Sequence, residues 1–216
     1  RMYNIIKKWE WGNSESSDIY HDPETRKNSI SFRGNLHRLA NEFIDNGEFE
    51  KANEIMDLSF EKMPIDFFEY YSLSEPYILS YYKIGEDKKA QNLYKTIEAK
   101  YLDQIKYYSI SMREYEDMFE LSEFAENIFT YTERYRGLIE NQIKLGNYDF
   151  VKPSIKSFVD YTEIFKGIYG EYDYYMFLIS FIEPLYLSSE NNLARKLYKD
   201  ISDQIISRLE TIISAK

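Results

Sequence analysis

The stretch LHRLANEFIDNGEFEKANEIMDLSFEKMP, residues 36–64, constrains this chain more than any other. Leu36, Leu39, Ala40 and Phe43 recur at helical spacing, Asn46-Gly47 interrupts them, and Ala52 and Met56 resume the pattern as far as Pro64. Apolar residues at i, i+3, i+4 and i+7 mark one face of a helix. Glycine accepts the left-handed backbone that closes a helix C-terminus, and proline cannot continue a helix. The stretch predicts a hairpin of two helices, from about Asn28 to Asp45 and from about Phe49 to Lys62. Ile30, Leu36, Leu39, Ala40 and Phe43 form the expected core stripe of the first, and Ala52 lets the second approach closely.

The pattern returns. Gly85 lies 38 residues after Gly47 and Ala90 lies 38 after Ala52, within Tyr77, Ile78, Tyr81, Gly85, Ala90, Tyr94 and Ile97. Gly146 with Val151, and Ser189 with Ala194, repeat the five-residue step from turn to small residue. Helical pairs at such intervals stack to bury faces that one hairpin cannot bury alone. The second interval, 61 residues, is long enough to hold an extra or lengthened helix from about Met112 to Gly137. No alternation of period two is long enough for a sheet. Pro153 and Pro184 are expected in a first turn or at a kink.

The spacing resembles the tetratricopeptide (TPR) repeat. It implies an all-α chain, a right-handed stack of TPR-like hairpins in a single domain from residue 28 to residue 216. Residues 1–27 read as an extended N-terminal leader, with a helical turn or two at residues 3–8. Trp9 and Trp11 are expected to pin it onto the first hairpin. In a helical stack the 22 Tyr and 14 Phe fill layers between helices.

Composition excludes several functions. Lys+Arg 27 against Asp+Glu 37 gives a net charge of −10, which opposes binding to nucleic acid or to an anionic membrane surface. With no cysteine there is no disulfide framework, thiolate metal site or cysteine nucleophile. No apolar run approaches the roughly 20 residues that span a bilayer, and no signal peptide opens the chain. Two readings of the start stand: a soluble piece of a longer protein, or a complete cytoplasmic protein with one extra leading residue.

Chemistry-bearing motifs are sparse. There is no phosphate loop, nucleophile elbow or H-E-x-x-H, and His21 and His37 are the only histidines. No metal or cofactor is expected. His21 and Asp22, with Asp18 and Glu24, are potential ligands for a hard cation, but their spacing matches no binding loop and Asp22-Pro23 is a turn signal. The acidic run Glu114, Glu116, Asp117, Glu120, Glu123 and Glu126 offers paired carboxylates, and reads more simply as a solvated helix face.

A better candidate site is the inward face of the first helices. Arg33, His37 and Asn41 recur every four residues, and Glu75, Leu79, Tyr82 and Lys83 take comparable places in the second hairpin. Such side chains can hold a peptide in a groove. The ligand-binding set expected is Arg33, His37, Asn41, Glu75, Tyr82 and Lys83. His37 and Asn41 resemble the basic residue and asparagine of peptide-carboxylate clamps in some TPR proteins, but the later repeats lack the matching basic residues. The competing expectation is that these residues bond between hairpins or face water.

Finally, Met2-Tyr3, Lys8, Trp11-Gly12, Asp18-x-Tyr20-x-Asp22, Phe32-Arg33 and Arg38-Leu39-Ala40 precede the turn at Gly47 in an order that resembles the C-terminal soluble region of a bacterial family of multi-pass membrane proteins. The membrane part of that family is similar to protein O-mannosyltransferases. The resemblance covers roughly residues 2 to 110. It implies that the catalytic residues lie in a membrane segment upstream, that this chain is not itself an enzyme, and that it is a non-catalytic accessory domain on the periplasmic face of the inner membrane. Its partners would be a protein or peptide, including the membrane domain of its own chain. The alternatives are a stand-alone peptide-binding TPR adaptor, cytoplasmic in that case, and a carbohydrate-binding module.

Overall fold

The structure is a computed structural model and describes residues 2–114, 121–163, 166, 170–187 and 189–214. Among these residues every regular element is helical, so the chain is all-α. It divides into two compact units, Arg1–Ile97 and Glu98–Lys216.

The first unit holds α1 (Met2–Ile6), α2 (Pro23–Asp45), α3 (Phe49–Lys62), α4 (Ile65–Phe68), a 3-10 turn (Tyr71–Leu73), α5 (Glu75–Lys83) and the start of α6 (Asp87–Glu114). Helix α3 has the limits expected from the sequence. Helix α2 starts five residues earlier than Asn28. The Asp22 carboxylate accepts from the backbone N–H of Glu24 at 2.9 Å and of Thr25 at 3.1 Å, and Pro23 occupies the first helical position, where its missing N–H costs nothing. The division expected between residues 27 and 28 therefore falls inside a helix. Nor is the leader extended: it is α1 followed by turns, with Gly12 at φ +60° and Asn13 at φ +61° reversing the chain.

One turn geometry closes each hairpin. At Gly47 (φ +73°) the N–H of Gly47 donates to Ile44 O at 3.0 Å and that of Glu48 to Phe43 O at 2.8 Å. This pair of bonds is the Schellman motif. Gly85 (φ +80°) repeats it through Tyr82 and Tyr81, and Gly146 (φ +78°) through Ile143 and Gln142. Ser189, without the glycine, does the same at φ +63° through Tyr186 and Leu185. Five residues on, Ala52, Ala90, Val151 and Ala194 are each fully buried, because any larger group there would hold the paired helices apart.

The core stripe of α2 is Ser29, Arg33, Leu36 and Ala40, spaced i, i+4, i+7 and i+11. Ile30, expected on that stripe, is 38% exposed instead. The tyrosines fill layers, but several hydroxyls bond to protein. Tyr77 donates to Arg33 O at 2.7 Å, and Tyr81 to the Asp57 carboxylate at 2.9 Å. Both hydroxyls are pushed up by burial, Tyr77 to about 12.

The second unit continues α6 and adds α7 (Leu121–Lys144), α8 (Tyr148–Thr162), α9 (Glu171–Leu178), a 3-10 turn (Ile179–Phe181), α10 (Ile182–Leu187) and α11 (Asn191–Ser214). The helix expected from Met112 to Gly137 resolves into the end of α6 and the start of α7, with residues 115–120 outside the described set. The Tyr135 hydroxyl on α7 shares its one proton between Ser154 O at 3.0 Å and the Glu98 carboxylate at 2.8 Å. Phe158 stands between Tyr135 and Phe181, with ring centroids 5.6 and 5.3 Å away. Pro153 lies inside α8, past its first turn, where it has no N–H for the preceding turn. Pro184 sits in the first turn of α10.

Candidate functional site

Arg33 does not face a groove. It is 1% exposed. Its guanidinium donates to Met63 O and, at 3.1 Å, to the Ser74 hydroxyl, and lies 5.0 Å from the Phe60 ring centre. No carboxylate pairs with it among the described residues. Compensation comes instead from the C-terminal end of α3, whose backbone dipole favours a cation, and from the Phe60 π face. Burial still lowers its pKa to about 10. The sequence hides this because arginine reads as exposed. The only signal is its place at helical spacing with Leu36 and Ala40.

His37 and Asn41 form a small network with Ser80 of α5. The imidazole Nε2 stands 3.0 Å from the Ser80 hydroxyl, which donates to Asn41 Oδ1 at 3.0 Å, and Asn41 Nδ2 lies 3.3 Å from the ring. The imidazole also rests against Tyr77, with ring centres 4.7 Å apart. Burial, and to a smaller degree the positive Lys83, lower the His37 pKa, against an opposing hydrogen bond with the Pro76 backbone. Three of the six expected ligand-binding residues thus serve the joint between α2 and its neighbours.

The other three lie on one stripe of α5. Glu75, Leu79, Tyr82 and Lys83 are spaced i, i+4, i+7 and i+8, with Leu79 44% exposed and Lys83 exposed. Glu75 and Tyr82 are half-buried, and the Tyr82 hydroxyl bonds Gln91, while burial and Asp87 raise its pKa. The stripe presents an apolar residue, a phenol and charges of both signs.

A second feature lies where the leader meets the first hairpin. Trp9 and Trp11 are 5.6 Å apart, and both meet Phe32 of α2, at 5.8 and 6.2 Å. The Ser14 hydroxyl donates to Lys62 O at 2.6 Å, and Glu15 pairs with Lys62 at 2.7 Å. These contacts frame a cavity of about 400 Å³ walled by Trp9, Trp11, Phe32, Met63 and Phe68, with Glu10 at its edge.

The members of the His21 cluster have separate surroundings. His21 is buried on Phe67 and Phe68, with ring centres 5.8 and 4.5 Å away, and neither ring nitrogen has a hydrogen-bond partner. Asp22 caps α2, while Asp18 and Glu24 are exposed. Among the described residues no group of three or more His, Asp and Glu could hold a metal ion, and no helix is long and apolar enough to cross a membrane. In the acidic run, the side chains of Glu114, Glu116, Asp117, Glu120 and Glu123 lie outside the described residues, and Glu126 is exposed.

No family model, curated protein or solved structure matches the chain significantly.

Proposed function

We propose that this chain is a non-catalytic interaction domain built as a right-handed stack of TPR-like hairpins, and that it serves as the accessory domain of a membrane glycosyltransferase-like protein. The observation that carries the scaffold reading is the repeated turn: four helix pairs closed by the same two backbone bonds, each with a fully buried small residue five positions on. Repeated pairs of this kind serve as binding surfaces more often than as sites of chemistry. The contact surface is the α5 stripe of Glu75, Leu79, Tyr82 and Lys83, with His37 and Asn41 beside it. A peptide clamp that includes Arg33 is disfavoured by its burial.

The link to a membrane enzyme rests on the resemblance in the leader. Its Trp11 packs against Phe32 of α2 and its Asp22 caps that helix, which suits a segment that connects two parts of one protein. In this reading the domain works on the periplasmic face, against a protein or peptide or the membrane part of its own chain.

The test is a photo-crosslinking residue at Leu79 or Tyr82 in the full gene product, in cells. The expected adduct joins either position to a multi-pass segment of the same chain or to one partner protein, and is absent from a control position at Glu61. Equal labelling at all three positions, or a reading frame with no multi-pass segment upstream of Arg1, overturns the accessory role.

A further inference from the structure

We propose that the cavity between the leader and α2 binds a small quaternary ammonium ion of choline's size. The inference stands whether or not the domain serves a membrane enzyme. The triplet Trp9-Glu10-Trp11 supplies two indole walls and a carboxylate from three successive residues, and Phe32 and Phe68 add further rings. Aromatic faces attract cations through the ring quadrupole, most strongly when the cation sheds its water cheaply. A quaternary ammonium does so, whereas a lysine ammonium is strongly hydrated. Glu10 is exposed at the rim, and no basic side chain pairs with it among the described residues.

The remaining polar lining argues against a neutral sugar. Ser14 donates its hydroxyl proton to Lys62 O, Ser29 to Arg26 O and Thr25 to the Asp22 carboxylate, each at 2.6 Å. A polyol needs matching partners for its many hydroxyls, and with these three donors committed the lining keeps only the Asn28 amide and the indole N–H groups beside Glu10. The quaternary ammonium head offers no hydrogen-bond donor and needs none, which leaves choline a single hydroxyl to satisfy. Arg33 does not contribute a repelling charge to the wall itself: it is held by Met63 O, Ser74 and Phe60, and is not among the lining side chains.

The chain contains two tryptophans and both lie in this wall, so the two indole N–H resonances report on it; both also border a neighbouring acidic hollow with Glu50, Glu54 and Asp57, and Glu10, which lines only the first, tells the two apart. Choline and tetramethylammonium are titrated against the full chain, with 3,3-dimethyl-1-butanol as the neutral isostere of choline and methyl glucoside as the sugar probe. Both cations are expected to shift both indole resonances, with the neutral isostere about tenfold weaker. Glu10→Gln weakens choline severalfold and Glu10→Lys abolishes the shift. Glu10 is exposed, so these variants keep the fold, and Trp11→Phe keeps a ring in the wall while removing one reporter. Equal binding of the isostere, an unchanged choline affinity in Glu10→Gln, or a response to methyl glucoside with none to choline overturns the assignment.

Discussion

Arg33 donates to the Met63 carbonyl, the group that ends α3, and so joins the middle of one helix to the end of the next. The bond satisfies a carbonyl that α3 itself cannot use, and it places a cation where the helix dipole is negative. Replacing Arg33 by alanine leaves Met63 O and Ser74 without their partner and opens a cavity. The expected loss is about 3 kcal/mol by chemical denaturation. Arg33→Met keeps most of the stem volume and removes a desolvated charge, so its expected loss is smaller, about 1 to 2 kcal/mol. A methionine variant as stable as the parent would show that the guanidinium is not a strut.

His37 makes stability depend on pH. Burial holds its pKa in the folded chain below the ordinary 6.5. As pH falls through 6.5 the unfolded chain takes up a proton that the folded chain still refuses, so stability drops. The drop ends below the folded pKa, and above 6.5 the contribution is constant. The midpoint of urea unfolding, measured from pH 8 to pH 5 in the parent and in His37→Gln, isolates this component. The parent should lose more stability over the window than the variant, and parallel curves would contradict the assignment.

The four turns make opposite predictions at two positions. A Cβ on Gly47 meets nothing within 4 Å, so Gly47→Ala is charged only for its left-handed backbone, about 1 kcal/mol. Ser189 already bears that cost at φ +63°, and Ser189→Gly should stabilise by about 0.5 kcal/mol once the greater freedom of glycine in the unfolded chain is deducted. Thermal denaturation of both variants decides the matter. A loss of stability on Ser189→Gly would show that the serine side chain has a role of its own.

The leader is held by its aromatic contacts, so removing one should loosen it without unfolding α2 and α3. Trp9→Ala is expected to speed tryptic cleavage after Lys7 and Lys8 severalfold while cleavage within α3 stays slow. Equal acceleration at both places would mean that the leader is part of one cooperative unit with the hairpin.

Much of the fold was legible because turns and small residues speak locally. Gly47, Gly85, Gly146 and even Ser189 announced their turns through the buried residue five positions on, and α3 obeyed its periodicity to the residue. Asp22-Pro23 misled because the same dipeptide signals a loop turn and a helix start, and only the contacts with Glu24 and Thr25 distinguish them. Arg33 misled for a different reason. Its side chain is long enough to carry a charge across the core to a carbonyl 30 residues away, and no local pattern encodes that partner. The cavity at Trp9 and Trp11 was legible only in part. Two tryptophans in a polar segment foretell contact with a hairpin, but not which hydroxyls are already bonded and which carboxylate is left over.

The leader touches α3 at two separated points. Tyr3 and Lys7 bond Glu54, with Lys7 at 2.7 Å, and Ser14 and Glu15 bond Lys62. Glu54 and Lys62 are about 12 Å apart along the helix axis. A segment fastened at two such points cannot swivel about either. A pull on Met2 therefore acts on α3 as a torque rather than through a slack string.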